Sequence, residues 1–248
     1  AIVNSRDLLA RDILPNHAVV MAGGLGLRLR PLTKKTPKPL LHVGGKPMIE
    51  TIIDQFKKSG IVTINLSINY LGEMIEDYFE DGRKLETRIN YLKEQSLLGT
   101  AGSLKLLREE EIIDPLVVMN GDILTTINFA DLINFHKNKN SAITMATVTK
   151  TYDIPFGVVD VELEEVIRIR EKPSIPYTVN AGVYMINPDV LNYISEGERM
   201  DMPDLIDKVS DAGGRISAFP IREYWRDIGS LEDFEQAQNE YSTYFGCK

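Results

Sequence analysis

The chain has few of the residues that build thiol or histidine chemistry. Its 248 residues include one cysteine, Cys247, and three histidines, His17, His42 and His136. A single thiol excludes a disulfide framework or a thiolate metal site within one chain and fits a reducing cytosol. The histidines lack zinc-like spacing, which argues against histidine-metal or histidine-base chemistry. There is no Ser-His-Asp arrangement and no nucleophile elbow. No apolar run approaches a membrane span, and the N-terminus carries no signal-peptide core, so the expectation is a cytoplasmic protein with no membrane partner. A basic surplus is also missing. Lys and Arg number 28 against 36 Asp and Glu, a net charge of −8. That argues against a nucleic-acid polymer as partner. It leaves room for a small anionic substrate, because local charge in a cleft matters more than the total.

What is present is ordinary for a globular protein, with 43% apolar and 26% charged residues. The length suits one large α/β domain or two small ones. No repeat, low-complexity segment or convincing linker divides it, so one domain over 16–248 is the economical reading. The chain starts with Ala1 rather than Met. The expectation is that residues precede it and that Ala1–Pro15 is a linker remnant or a short helix.

Strand and helix signals alternate through the first two-thirds. Val19–Met21 is a short apolar run ending in glycines. Met48, Ile49, Ile52, Ile53 and Phe56 recur at helical spacing behind Pro47, and the helix stops near Gly60. The runs 61–68, 89–92, 116–119 and 141–148 read as strands. Helices are expected over 72–79, over 100–110, and behind Asn128 as cap. Such alternation predicts a mostly parallel sheet with helices on both faces. Beyond Tyr152 the texture changes to a hairpin (157–161 with 166–169), a strand at 180–186, helices at 188–194 and 202–211, and a strand at 216–219. A last helix starts at Ser230, with Asp233 three residues on.

Ligands in open α/β sheets sit beyond the carboxyl ends of the strands, so the loops there are where chemistry is expected. The first loop contains Gly23, Gly24 and Gly26, then Arg28 and Lys38. It matches neither the P-loop pattern nor GxGxxG. Glycines let such a loop bring its backbone N–H groups close to phosphate oxygens, and Arg and Lys add fixed positive charge. The reading is a loop that holds a nucleoside triphosphate. A second loop offers Glu94, Gln95, Gly99 and Thr100, either as partners for a base edge or as a helix boundary capped by Thr100. The third is Asn120-Gly121-Asp122, where Asp122 is either a ligand for a hard cation or part of an Asx-type turn. In the fourth group, Glu171 suits sugar hydroxyls, Lys172 a phosphate, and Asp227 a second carboxylate for a metal. A surface charge pair is the competing reading for Glu171 and Lys172, and Trp225 reads as a packing residue.

Taken together the motifs resemble one family, the sugar-phosphate nucleotidyltransferases or nucleotide-sugar pyrophosphorylases. The signature runs Ala22-Gly23-Gly24-x-Gly26-x-Arg28-Leu29-Arg30-Pro31-Leu32-Thr33 with Thr36-Pro37-Lys38-Pro39-Leu40. It continues through 98–102, 120–122, 171–173, 180–184 and 227–229, across nearly the whole chain. The resemblance implies a Rossmann-like nucleotidyltransferase fold with a mixed β sugar-binding part. It also implies formation of an NDP-sugar and pyrophosphate from an NTP and a sugar 1-phosphate, by in-line attack on the α-phosphorus. In that scheme Arg28 holds the triphosphate and Lys38 stabilises charge at the α-phosphate. Asp122 and Asp227 ligate Mg²⁺ and Lys172 holds the sugar phosphate. Gly157, Glu171 and Asn180 line the sugar site. The chain departs from the family at Leu27, where Thr is usual, and its hairpin connection is short. Residues 98–104 look like the guanylyltransferase branch, which favours GTP. The whole is similar to bacterial enzymes that make GDP-glucosamine for legionaminic acid, in which CBS domains precede this domain. CBS domains upstream and a homo-oligomer are therefore expectations. The alternatives are a silent nucleotide-sugar-binding homologue and a cytidylyl-, uridylyl- or thymidylyltransferase of the same fold.

Overall fold

A computed structural model describes residues 13–246 of the chain. The opening strand β1 (Leu14–Met21) leads through a glycine loop and the two short strands β2 (His42–Val43) and β3 (Lys46–Pro47) into α1 (Met48–Lys58). Then come β4 (Ile61–Ile68), α2 (Gly72–Phe79), β5 (Arg88–Lys93), α3 (Gly99–Gly102), β6 (Leu116–Asn120), β7 (Ile123–Thr125) and α4 (Phe129–Lys139). The second part contains β8 (Ile143–Asp153), β9 (Val158–Glu162), β10 (Glu165–Arg170), β11 (Ser174–Ile186) and α5 (Met202–Asp211). It ends with β12 (Ile216–Pro220), β13 (Trp225–Asp227) and α6 (Leu231–Phe245). Residues 1–12 of the expected leader lie outside the described residues, as does Cys247. Leu14 and Pro15, within the expected leader, belong to β1.

Seven strands form the central sheet in the order β12-β8-β11-β6-β1-β4-β5. Every neighbouring pair is parallel except those of β11, which runs antiparallel to both β6 and β8. The sheet is thus mostly parallel, as the alternation of helices and strands required. Its central strands bury both faces and so read as unbroken apolar runs. Ala18 and Val20 of β1 and Val117 and Met119 of β6 face one core, which α1, α2, α4 and α6 cover. Val19, Leu116 and Val118 face the other, shared with α3 and α5.

The local chemistry of the helices is legible. Met48, Ile49, Ile52, Ile53 and Phe56 are all buried along one side of α1, and Gly60 ends the turn beyond it with φ +86°. Asn128 caps α4 by accepting from the Ala130 amide, and Ser230 and Asp233 form a reciprocal capping box at α6.

The continuous helix expected over 100–110 does not form. It is broken into the single turn α3 and the 3₁₀ segments Ser103–Leu106 and Glu109–Glu111. The amides of Ala101 and Gly102 both donate to the Met200 carbonyl at 3.0 Å. The next layer has thereby captured the backbone donors of the first turn. The segment over 188–194 is likewise a 3₁₀ helix, Pro188–Tyr193. Strands β8 and β11 extend well past their expected limits and pair beyond the sheet. They carry the β9–β10 hairpin, joined by Leu163 and Glu164, both with positive φ as a tight two-residue turn needs.

Candidate active site

Register sets the site. Met21 of β1 lies beside Ser67 of β4 and Asn120 of β6, and Ser67 lies beside Leu92 of β5. The carboxyl ends of four parallel strands therefore stop at one level, and the loops that follow them meet there. This is the crevice where α/β sheets bind ligands.

The glycine loop after β1 is held rather than loose. Gly26 has φ +60°, and its carbonyl accepts from the buried Thr33 hydroxyl at 2.7 Å. A Cβ on Gly26 would lie 2.9 Å from the Thr33 side chain and 3.2 Å from Lys38. A Cβ on Gly23 would meet a Glu94 carboxylate oxygen at 2.7 Å, whereas Gly24 has open space. Only Gly24 is free of its own neighbours and so able to meet a ligand closely without a packing reason. Leu27, the departure from the family pattern, opens a 3₁₀ turn (Leu27–Leu29) and is 54% exposed along the cleft.

Two carboxylates face this loop. Gly121 donates to the Met21 carbonyl at 2.9 Å, which turns the chain so that Asp122 follows directly on β6. Lys38 reaches across 84 residues of sequence to donate to Asp122 Oδ2 at 2.5 Å. Asp227 arrives through a separate two-stranded ribbon in which β13 pairs antiparallel with β7, placing Asp227 opposite Ile123. The Ile228 amide then donates to the Asp122 carbonyl at 3.0 Å. Both residues before Asp227 are anchored. Trp225 Nε1 donates to the Ala181 carbonyl at 2.8 Å, and Arg226 makes a two-pronged ion pair with Glu240 of α6. Trp225 is thus the packing residue it was read to be.

Burial raises the Asp227 carboxyl above its usual range. The negative charge of Asp122 adds to this, while Lys38 and Arg28 oppose it. Asp227 Oδ1 is buried and lacks a hydrogen-bond partner. A buried carboxylate oxygen without a donor beside a second carboxylate is a costly arrangement unless a cation fills it. Two carboxylates suit Mg²⁺, which commonly takes one or two from protein and the rest from phosphates and water. Among the described residues no group of three metal-ligating side chains occurs.

The cavity so formed has a volume of about 340 Å³ and is lined by Gly24, Gly26, Leu27, Arg28, Lys38 and Asp122, with Gly229 closing one side. Gly229 was not singled out in the sequence as a site residue. A Cβ there would lie 3.1 Å from Nη1 of Arg28, so the glycine is what lets the guanidinium lie flat against the loop after β13. An adjoining cavity of about 280 Å³ shares Gly24 and Asp122, and is lined by Gly23, Glu94, Leu97, Gly99, Thr100 and Arg199. Arg199 was also missed, because only the pairing of Met200 with Leu98 brings its segment to the loop after β5.

Two residues of that second cavity have duties inside the protein. Glu94, read as a nucleotide contact, uses one oxygen to accept from the Ser67 hydroxyl (2.7 Å) and the other from the Leu98 amide (2.9 Å). Thr100 does act at a helix boundary, but that of α5 rather than its own. It accepts from the Met202 amide at 2.8 Å while its own amide donates to Asp201. Gly99 has φ +80°, and a Cβ would sit 2.4 Å from the Met200 carbonyl. These three line the cavity and at the same time clamp it to the loop before α5.

The expected sugar residues are gathered less tightly. Gly157 and Glu171 are neighbours at the base of the hairpin, where a Cβ on Gly157 would lie 3.2 Å from a Glu171 oxygen. Lys172 follows in the exposed turn before β11 with φ +41°, in the left-handed region. Asn180 donates to the Tyr184 hydroxyl at 2.5 Å and accepts from the Gly182 amide, bracing the irregular stretch of β11. None of these four lines either cavity.

A loop of glycines, an arginine and a lysine thus faces two aspartates across the ends of parallel strands. The chain belongs to the nucleotidyl transferase family, whose profile matches residues 17–243. It is 34% identical over 225 residues to a mannose-1-phosphate guanylyltransferase from Mycobacterium tuberculosis, covering 88% of this chain and 62% of that protein. It is 30% identical over 239 residues to a UTP–glucose-1-phosphate uridylyltransferase from Synechocystis, covering 89% of this chain and again 62% of the relative. The chain therefore spans less than two-thirds of the length of these relatives. Among solved structures it superposes on HddC from Yersinia pseudotuberculosis with a TM-score of 0.72 at 24% identity, covering 91% of this chain and 99% of that one. That likeness bears on the fold, which is the expected nucleotidyltransferase architecture.

Proposed function

We propose that this chain catalyses transfer of a nucleoside monophosphate from an NTP to a sugar 1-phosphate, releasing pyrophosphate. The observation that carries the reading is the Lys38–Asp122 pair beside the unpartnered Asp227 oxygen, at the mouth of the glycine loop. Such a centre suits in-line displacement at a phosphorus, where catalysis is mostly positioning and charge neutralisation.

In this scheme Arg28, lying against Gly229, grips the triphosphate oxygens that leave as pyrophosphate. Lys38 is held by Asp122 at the position where charge builds on the α-phosphate. Asp122 and Asp227 would hold Mg²⁺, which supplies neutralisation of phosphate charge when bound. Lys172 and Glu171, on the turn before β11, would receive the sugar phosphate and the sugar hydroxyls. GTP is the favoured nucleotide, supported by the guanylyltransferase among its relatives, though a uridylyltransferase stands close to it in identity. The favoured product is a GDP-sugar, with GDP-glucosamine of the legionaminic acid route as the specific candidate.

The test is a matrix of four NTPs against glucosamine, mannose, heptose and glucose 1-phosphates with Mg²⁺, read by pyrophosphate release. Turnover with GTP and one of these sugars is expected. Consumption of no NTP with any of them would remove the enzyme reading and favour a silent binding homologue. Preference for CTP, UTP or dTTP would move the chain to another branch of the fold.

A further inference from the structure

The backbone that carries Arg199 is docked firmly. Met200 donates to the Leu98 carbonyl at 2.9 Å, and its own carbonyl accepts from the amides of Ala101 and Gly102 at 3.0 Å. Gly99 passes so close that a Cβ there would meet the Met200 oxygen at 2.4 Å. The side chain of Arg199, by contrast, is nearly free. It is 71% exposed, and its one ion pair among the described residues, from Nη2 to Asp201 Oδ2, is 3.4 Å long. An exposed pair of that length costs little to give up. Asp201 is itself tied to the cavity wall, its other oxygen accepting from the Thr100 amide at 3.0 Å. The guanidinium therefore stands at the second cavity on a fixed base, with most of its five N–H donors unspent.

Among the described residues Arg199 is the only cation lining this cavity, where the other charged groups, Glu94 and Asp122, are carboxylates. Arg28 and Lys38 already serve phosphate charge in the first cavity. The two cavities meet at Gly24 and Asp122, so a nucleotide with its phosphates in the first extends its base toward the second. Leu97, 46% exposed there, offers an apolar surface to the flat face of a base.

We propose that Arg199 is the residue that selects the base, its guanidinium fork donating to O6 and N7 of guanine so that the chain takes GTP. This rests on the nucleotidyl-transfer reading above and names the side chain that sets its nucleotide. Guanine alone presents O6 and N7 as adjacent acceptors matched to the fork of an arginine. On the corresponding edge adenine sets an N6 amino donor beside N7, cytosine presents an N4 amino donor, and uracil and thymine give a single O4. Each of these leaves guanidinium donors unpaired or sets donor against donor. Glu94 does not make the distinction. Each of its oxygens keeps a lone pair beyond the bonds to Ser67 and Leu98, but the N1–H of guanine and the N3–H of uracil would use it alike.

Calorimetric titration of the full chain with GTP, 7-deaza-GTP and UTP, with Mg²⁺ and no sugar phosphate, tests this by binding alone. 7-Deaza-GTP replaces N7 with C–H and leaves the phosphates and the opposite edge unchanged. The wild type should bind GTP about tenfold more tightly than either of the others. Arg199→Ala should weaken GTP about 10–100-fold, leave UTP within about twofold, and bind GTP and 7-deaza-GTP alike. Its thermal melt should match the wild type, because the side chain is exposed. Equal losses for GTP and UTP would make Arg199 a phosphate contact and overturn the proposal. So would a wild type indifferent to N7, or a variant that keeps its preference for GTP. Those three outcomes leave the nucleotidyl-transfer reading standing, whereas a chain that binds none of the nucleotides removes both.

Discussion

The two halves of this site are built to different standards of rigidity. The half proposed to take the triphosphate stands on the aligned ends of β1, β4, β5 and β6, and several of its residues are tied down from elsewhere in the chain. Thr33 ties down Gly26, Asp122 holds Lys38, and Arg226 and Trp225 fix the strand that delivers Asp227. The sugar half rests on the extended ends of β8 and β11 and on the hairpin between them. Glu171 and Lys172 are exposed, and Asn180 is occupied with bracing its own strand. Charge development at phosphorus demands groups already in place, whereas recognition of one sugar among several can be carried by a peripheral element. Under the proposed function, the difference places chemistry and sugar recognition in separately supported parts of one domain.

Substitutions on the two sides should therefore differ in kind. Asp122→Ala removes the partner of Lys38 and a proposed metal ligand, and kcat should fall on the order of 10³-fold or more in a pyrophosphate-release assay. Unchanged turnover would dissolve the distinction at its root. Lys172→Ala should cost about 10–100-fold in kcat/KM for the sugar phosphate, the loss of one charge-assisted contact, with KM for the nucleotide unmoved. If nucleotide KM rises instead, Lys172 belongs to the triphosphate half.

Gly229→Ala tests the seat of Arg28, because the new Cβ starts 3.1 Å from the guanidinium. Nucleotide KM is expected to rise about tenfold while sugar-phosphate KM holds. Asp227→Asn probes the other side of the same half. Replacing a half-buried carboxylate whose Oδ1 lacks a partner with a neutral amide should raise the Tm of the metal-free chain by about 2–4 °C, the response to about 1 kcal/mol in a chain of this size. The same variant should lose the stabilisation that Mg²⁺ gives the wild type in differential scanning fluorimetry. A retained Mg²⁺ shift would reassign the metal.

The smallest effect concerns His136, which lies away from both halves. It is buried between the Thr144 hydroxyl (2.8 Å) and Asn187 Oδ1 (2.9 Å). Burial lowers its pKa, with the Asn187 bond acting to raise it and Lys137 to lower it further. A depressed histidine contributes stability that is fully present above its ordinary value of 6.5 and is lost as pH falls through the folded value. Urea unfolding should thus show a loss of stability below pH 6.5 that His136→Gln reduces. Equal slopes for the two proteins would remove His136 as the cause.

Much of this could be read from residues in order. The spans of β4, α2 and α5 and the Asn128 and Ser230 caps follow from periodicity and cap chemistry, because those signals lie within a few residues of one another. Gly26, Arg28 and Lys38 were legible for the same reason, being part of one compact loop. The helix expected over 100–110 is not continuous: its first turn is docked on the Met200 carbonyl, far along the chain, and the backbone becomes extended at Leu107. For Glu94 and Thr100, which line the second cavity, sequence could not show that Ser67, Leu98, Asp201 and Met202 also engage them. Arg199 gave no local signal, and Gly229 entered only as the end of the 227–229 motif, since each matters through a neighbour that only folding supplies.

By itself the sequence determined the alternation of strands and helices, the glycine loop with its two cations, and the identity of the carboxylates available to face it. These are matters of local spacing and residue chemistry. Tertiary structure decided that Asp122 pairs with Lys38 and that the β7–β13 ribbon delivers Asp227 beside them with one oxygen unpartnered. It also decided that the segment carrying Arg199 docks on the loop after β5. Such outcomes depend on strand order and register, which are fixed by burying both faces of the sheet at once rather than by any single stretch of the chain.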